Sequence, residues 1–333
     1  MPLLFHVRTL ILSLIVLLPS AAAALCNGPD LWSQLSDERR ADIKAAAGEI
    51  RYGSGNFWEA TRDGTTLTII GTMHLPDPRH QATLARLAPL IDAADLLLVE
   101  ATLQDQSDMQ VYMSRNPDLM TITDGPTLPD LVDEDTWAAI EEAAAARGVP
   151  GFMAAKMQPW FLSLTLALPP CAMSSMIAGD AGIDNMIIEE AQSRGLPVAA
   201  LEPWEDMFAL LTSGTFEEQL EALRLSLVDP DLQDAIIVSL IDFYFAEQSA
   251  VSWQLGYAIS EFLPDMDQAT FDAQMAQMEQ QLLIDRNASW IPEIEAAAAQ
   301  HEEIMIAFGA AHLFDETGVL ALLEANGWTI SPL

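Results

Sequence analysis

The sequence predicts an α/β fold: a central mixed, largely parallel sheet flanked by helices, opened by a β-hairpin and carrying a helical insertion. Three observations predict it. Short apolar runs (67–70, 96–99, 196–201 and 304–308) alternate with longer stretches of helical periodicity, the pattern of strands covered on both faces by helices. Asp63-Gly64 joins two β-rich runs, a strong hairpin signal. Residues 215–300 read almost entirely as helix.

The chain opens with Arg8 as the only charged side chain before Asp30, His6 aside. An apolar run over 10–18 follows, then Ala22-Ala23-Ala24. A positive start, a short apolar core and small residues at the end make a secretory signal peptide over residues 1–24. The run is short for a membrane-spanning helix, which needs about 20 apolar residues. Residues 25–333 are therefore expected to form a single exported domain, periplasmic or secreted, with no membrane span. An uncleaved anchor is the alternative. A lipoprotein at Cys26 is disfavoured because Leu25 stands where a small residue belongs.

The elements follow in order. Residues 57–62 and 65–70 form the hairpin. Residues 79–94 read as a helix with Leu84, Leu87, Leu90 and Ile91 on one face and Pro89 as a candidate kink. A strand over 96–99 ends at Glu100. Residues 101–127 are polar and read as irregular with a short helix. Helices are expected over 130–147 and, as a buried core helix, over 157–168. A helix over 184–194 is closed by Gly195. A strand over 196–201 ends at Glu202, and one over 304–308 runs into Gly309. A helix over 315–326 stops at Gly327, before a last strand over 328–330. The Met residues of the Gln-rich stretch, Met266, Met275 and Met278, read as core filling.

Charge narrows the function. The chain has 49 acidic and 14 basic residues, a formal −35. That excludes nucleic acid, where basic patches supply affinity, and anionic membrane surfaces. Only two cysteines are present, Cys26 and Cys171. In an exported protein they suggest one disulfide, with free thiols as the alternative.

Four strands end in a residue that binds metal or moves protons: His74, Glu100, Glu202 and His312. Two of them sit in matching segments, Gly71-Thr72-Met73-His74 and Gly309-Ala310-Ala311-His312. In open α/β sheets, ligands bind beyond the C-terminal strand ends, so a largely parallel sheet brings the four to one rim. The glycines are expected to let the chain turn sharply there. Two histidines and two carboxylates suit zinc, manganese, iron or cobalt. One glutamate could instead be a general base. Arg286, in an acidic, Gln-rich helix, is either an oxyanion stabiliser or a surface ion pair. Asp184 reads as a helix N-cap or as lining the site, His80 as a surface residue or as part of the rim or its support, and His301 as a surface residue. No Gly-x-Ser-x-Gly elbow, Walker loop, His-Glu-x-x-His helix or dinucleotide fingerprint is present.

These segments resemble the TraB/GumN family. The resemblance is carried by Gly-Thr-Met-His-Leu-Pro-Asp-Pro-Arg (71–79), Leu-Leu-Val-Glu (97–100), Met-Gln-Pro-Trp (157–160), Gly-Ile-Asp (182–184), Leu-Pro-Val-Ala-Ala-Leu-Glu (196–202), Asp-Arg-Asn (285–287) and Gly-Ala-Ala-His-Leu (309–313). It implies a fold like those of the ChaN and erythromycin-esterase groups. It also implies the metal-dependent proteolysis of the related Tiki proteins, with His74, Glu100, Glu202, Arg286 and His312 at the signature positions. Phe314-Asp315 departs from the glycine that many relatives carry there.

The expected function is an exported metal-dependent hydrolase, a peptidase acting on a peptide or small-molecule substrate. Its cofactor would be a divalent transition metal (Mn, Co, Fe or Zn). His74 and His312, with Glu100 or Glu202, would hold the metal, and Arg286 would steady an oxyanion or a substrate carboxylate. The alternatives are a non-catalytic binding protein for haem, metal or a saccharide at the same rim, near Trp160 and Trp204, or a surface signalling factor.

Overall fold

Asp63 and Gly64 both adopt positive φ, 53° and 93°, and turn β1 (Phe57–Arg62) back onto β2 (Thr65–Thr72). This is a computed structural model. It describes residue 26 and residues 28–263 and 267–333; the expected signal segment (1–24) and Met266 lie outside them. The other strands are β3 (Leu96–Val99), β4 (Val198–Ala200), β5 (Glu303–Gly309) and β6 (Thr329–Pro332). They form one six-stranded sheet in the order β4-β3-β5-β2-β1-β6. β2, β5, β3 and β4 pair in parallel, whereas β1 runs antiparallel to both neighbours. The sheet is thus mixed and largely parallel, and the four strands that lead to the candidate residues are the parallel ones.

The central strands are apolar because both faces are covered. Leu67, Ile69, Ile70, Leu97, Leu98, Val99 and Ile304 through Phe308 are all buried. Each large aliphatic side chain buried this way contributes about 1.5–3 kcal/mol. Six helices position the site. They are α1 (His80–Ala93), α2 (Leu103–Arg115), α3 (Ile183–Ser193), α4 (Trp204–Leu211), α5 (Pro230–Phe245) and α6 (Asp285–Ala298). Ile187 and Ile188 of α3 and Trp290 and Ile294 of α6 join the same core as the strands.

The helical stretch 215–300 is built into the fold. Tyr244 of α5 donates its hydroxyl to the Gly71 carbonyl at 3.0 Å. Two smaller cores flank the main one: Leu128, Ile140, Leu162, Leu166, Leu220 and Leu223 in one, and Leu31, Leu35, Ile43, Ala235 and Leu255 in the other. Cys26 and Cys171 are joined by a disulfide, which fastens the N-terminal helices to the middle of the chain. Among the described residues, no helix is long and apolar enough to cross a membrane.

Three local expectations need correction. The short helix expected within 101–127 is longer than foreseen, 13 residues over Leu103–Arg115. Thr102 and Asp105 form a capping box at its start; no residue of the helix is fully buried, but Leu103 packs on the main core and Tyr112 on Trp204 and Phe208. Residues 130–147 split into Leu128–Leu131 and Glu134–Ala145, because Asp133 breaks off to cap the second helix through the Thr136 N–H. The C-terminal helix starts only at Val319, after a 3-10 turn at Ala310–His312.

Candidate functional site

The first Gly-x-x-His segment leaves β2 between two close packing contacts. A Cβ on Gly71 would lie 2.6 Å from Leu313 Cδ1 and 3.0 Å from Ala310 Cα. Gly71 is needed so that the second segment can press against the first. Neither glycine uses positive φ: Gly71 lies within β2, and Gly309, with φ −51°, caps the 3-10 turn at Ala310–His312. On the other side, a Cβ on Gly182 would fall 2.5 Å from the His74 carbonyl. This approach lets the start of α3 stand on the loop, where the Ile183 N–H donates to the Met73 carbonyl at 3.2 Å.

That contact delivers Asp184 to His74. Asp184 is the second residue of α3, behind the Gly182 cap, and is not itself the cap. His74 Nδ1 lies 3.0 Å from Asp184 Oδ1. A carboxylate oxygen only accepts, so Nδ1–H donates to Asp184, and Nε2 is the nitrogen that becomes free once the ring gives up its second proton. The Asp184 hydrogen bond is the main cause that pushes the His74 imidazole up to about 9. Desolvation and Arg286 oppose the rise, and the charges of Asp184 and Glu100 add to it. His74 is the open member of the site, with 68% of its side chain accessible. Desolvation would lower its pKa, so the upward direction rests on the Asp184 contact.

His312 is wired in the same way but buried. Its Nδ1 lies 2.6 Å from Asn287 Oδ1. The Asn287 amide cannot be reversed, because its Nδ2 donates to the Thr317 carbonyl at 2.9 Å. The oxygen therefore faces His312, Nδ1–H donates, and Nε2 carries the lone pair. The ring packs against Trp290 at 4.5 Å between centroids. Burial is the leading reason that its imidazole falls to about 4, aided by Arg286 and His74 and opposed by Glu100. At neutral pH, His312 is a neutral imidazole.

Between the histidines lies a buried charge cluster. Arg286 is the second residue of α6, just after a π-helical turn at Gln280–Ile284, a feature that recurs at functional sites. Its Nη1 donates to the Leu282 carbonyl of that turn at 3.2 Å. Glu202 accepts from Arg286 Nε at 3.0 Å and Nη2 at 2.5 Å, and from Trp290 Nε1 at 3.1 Å. Glu100 accepts from Arg286 Nη2 at 2.6 Å and from the Gly309 N–H at 2.7 Å. The Arg286 side chain is only 11% accessible, which removes the surface ion-pair reading. Burial would raise the Glu100 carboxyl. His312, His74, Arg286 and the Gly309 N–H outweigh it and hold the group well below the usual range, at about 2.

The five residues singled out in the sequence thus meet at one rim. A methyl group placed on Gly309 would lie 3.5 Å from Glu100 Oε1, 3.7 Å from His312 Cδ2 and 4.0 Å from His74 Nε2. Their roles differ. Glu202 has both oxygens engaged by Arg286 and Trp290 and holds the guanidinium in place. Among the described residues, no three of the donors His74, Glu100, Glu202 and His312 lie within 4.8 Å of one another. The one trio that does is Cys26, Cys171 and Asp234, whose sulfurs are already bonded to each other. The donor chemistry, two imidazole Nε2 atoms and an ionised carboxylate, fits a divalent transition metal. The donors would have to draw together around it.

Asp184, Asn287, Trp290 and His80 complete the site or its support. His80 is fully buried, not at the surface. Its Nε2–H donates to the Leu75 carbonyl at 2.9 Å, and its ring packs on Phe245 and Tyr244 of α5 at 5.1 and 6.0 Å. It pins the loop from behind while Asp184 holds it from the front. His301 is half-buried outside the site. Trp204, two residues beyond Glu202, belongs to an aromatic cluster with Tyr112, Phe208 and Trp160.

The model of the TraB/PrgY/gumN family matches residues 56–332, most of the chain. The match takes in the sheet, both Gly-x-x-His segments, Arg286 and the helical stretch between them. No curated protein matches the chain.

Proposed function

The chain belongs to the TraB/PrgY/gumN family, and from that premise we propose that it is an exported, metal-dependent hydrolase that cleaves peptides. One observation carries the reading. His74 and His312 each have Nδ1 committed to an outer oxygen, of Asp184 and of Asn287, which leaves Nε2 of each ring as the nitrogen that would take an ion; His74 would first have to give up the Nε2 proton that its raised pKa keeps at neutral pH. Metal-ligating histidines are held this way, because the outer partner fixes the tautomer and the ring.

His74, His312 and Glu100 would hold the ion (Mn, Co, Fe or Zn). When bound, it would supply Lewis acidity and a water acidic enough to attack a carbonyl at neutral pH. The protein's part is positional and electrostatic. Gly309 donates its N–H to Glu100 and keeps that carboxylate oriented. Glu202 and Trp290 anchor Arg286, whose remaining N–H groups would stabilise the oxyanion of a cleaved amide. The Cys26–Cys171 disulfide supports the exported location, since such bonds persist in oxidising compartments. A library of fluorogenic peptides, assayed with each of the four metals and with a chelator, tests the reading. Cleavage that needs a metal and disappears in His312→Ala supports it. No cleavage under any metal overturns the peptidase assignment.

A second reading, a non-catalytic binding protein, is favoured by the Tyr112, Trp160, Trp204 and Phe208 cluster beside Glu202. Metal-independent quenching of tryptophan fluorescence by saccharides, or a Soret band with haem, would favour it.

A further inference from the structure

We infer that Arg286 is a built-in competitor of the metal: its guanidinium occupies the ligand atoms of Glu100 and His312 and must release both for an ion to bind, while Glu202 keeps it at the rim. The inference rests on the metal-site reading above and concerns what the chain's own residues do before an ion arrives.

Besides the Leu282 carbonyl, which accepts from Nη1 at 3.2 Å, Arg286 makes three kinds of contact, and they are unequal. Toward Glu202 it is doubly anchored, through Nε at 3.0 Å and Nη2 at 2.5 Å. Glu202 is also fixed by the Trp290 indole at 3.1 Å. Toward Glu100 it makes one bond, Nη2 to Oε2 at 2.6 Å. Toward His312 it makes one long contact, Nη1 to Nε2 at 3.3 Å. The single contacts fall on the atoms that a metal would use. The bidentate contact falls on the glutamate that has no oxygen to spare.

A buried guanidinium fork paired with a carboxylate is geometrically specific, so the Glu202 pair is the part that should persist. Charge argues the same way. A divalent ion and Arg286 cannot both sit against Glu100 in a site this dry without strong repulsion. The cluster is therefore satisfied without an ion, because Arg286 supplies the positive charge that Glu100 and Glu202 need. Were an ion held by Glu100 and His312, the Nη hydrogens now turned to those atoms would become the donors that the hydrolase reading assigns to Arg286, while Nη2 keeps its bond to Glu202 and Nη1 its bond to Leu282.

Zinc titration of the protein expressed from its full sequence and labelled with 15N-arginine tests this. In the wild type, the Nη resonances of Arg286, assigned by their loss in Arg286→Lys, should shift and exchange faster with solvent as zinc binds, while the Nε resonance persists. Zinc affinity, measured by competition with a chromophoric chelator, should rise at least tenfold in Arg286→Gln. Should that variant fail to fold, the wild-type spectra still decide. Zinc binding with unchanged Arg286 resonances, or with unchanged or weaker affinity in a folded Arg286→Gln, overturns the competitor role and leaves the metal site standing. No zinc binding by the wild type overturns both.

Discussion

Asn287 Oδ1 lies 2.6 Å from His312 Nδ1, and the Thr317 carbonyl holds the Asn287 amide in the one orientation that makes this a hydrogen bond. A backbone carbonyl 30 positions along the chain from Asn287 thus decides which nitrogen of His312 is free. Replacing Asn287 with Leu should leave the His312 Nδ1–H buried and unpaired, a loss of about 1–3 kcal/mol of stability. Metal affinity should fall about 10–100-fold with every ligand still present. Denaturant unfolding and metal competition on one variant check both.

Asp184 should control the charge of His74. The raised pKa of His74 means that the native state holds its proton more tightly than the unfolded chain does. The stability from this pair is therefore fully present below about 6.5 and is lost as pH rises through about 9. In Asp184→Asn, NMR titration of the His74 ring should find the transition moved down toward the ordinary histidine value. An unmoved transition would mean that Asp184 does not set it.

His80 should act on stability at the acid side. It is buried, Nδ1 has no hydrogen-bond partner, and burial lowers its pKa although Asp77 and Asp184 oppose the shift. The unfolded chain binds a proton near 6.5 that the native state resists. The stability is thus complete above that pH and declines as pH falls below it. Urea unfolding at pH 7.5 and 5.5 should show a smaller drop between the two for His80→Phe than for the wild type.

The disulfide should matter more to stability than to the site. It closes a separation of 145 residues, for which chain entropy gives about 4–5 kcal/mol. Cys26→Ser with Cys171→Ser should lower the denaturant midpoint accordingly, while metal stoichiometry stays that of the wild type, since neither residue touches the rim.

The sequence made β2, β3, β4 and β5 legible because each carries a short apolar run that leads to a residue with a chemical use. The hairpin was legible because Asp63-Gly64 permits little else. The helix Leu103–Arg115 was legible only as a short helix in a polar stretch, because none of its residues is fully buried; Thr102-x-x-Asp105 was the signal for its start. Asp184 was offered as a cap or as lining the site, but the pairing of each histidine with its partner was hidden for a different reason. Asp184 is 110 positions from His74 and Asn287 is 25 from His312, and separation of that kind leaves no periodic trace. His80 looked like surface because it follows Asp77-Pro78-Arg79. The charge of that turn is consumed internally, with Arg79 donating to Asp77 at 2.9 Å and lying over the Phe245 ring.

The central claim is that the two Gly-x-x-His segments hold one metal between them. Elemental analysis by plasma mass spectrometry, on protein purified without an affinity tag and beside a His74→Ala, His312→Ala double variant, tests it most directly. The account predicts about one manganese, iron, cobalt or zinc per wild-type chain and none in the folded double variant. A wild type that holds no metal, even after reconstitution with each of the four ions, would contradict it and move the weight to a binding protein that uses the same rim.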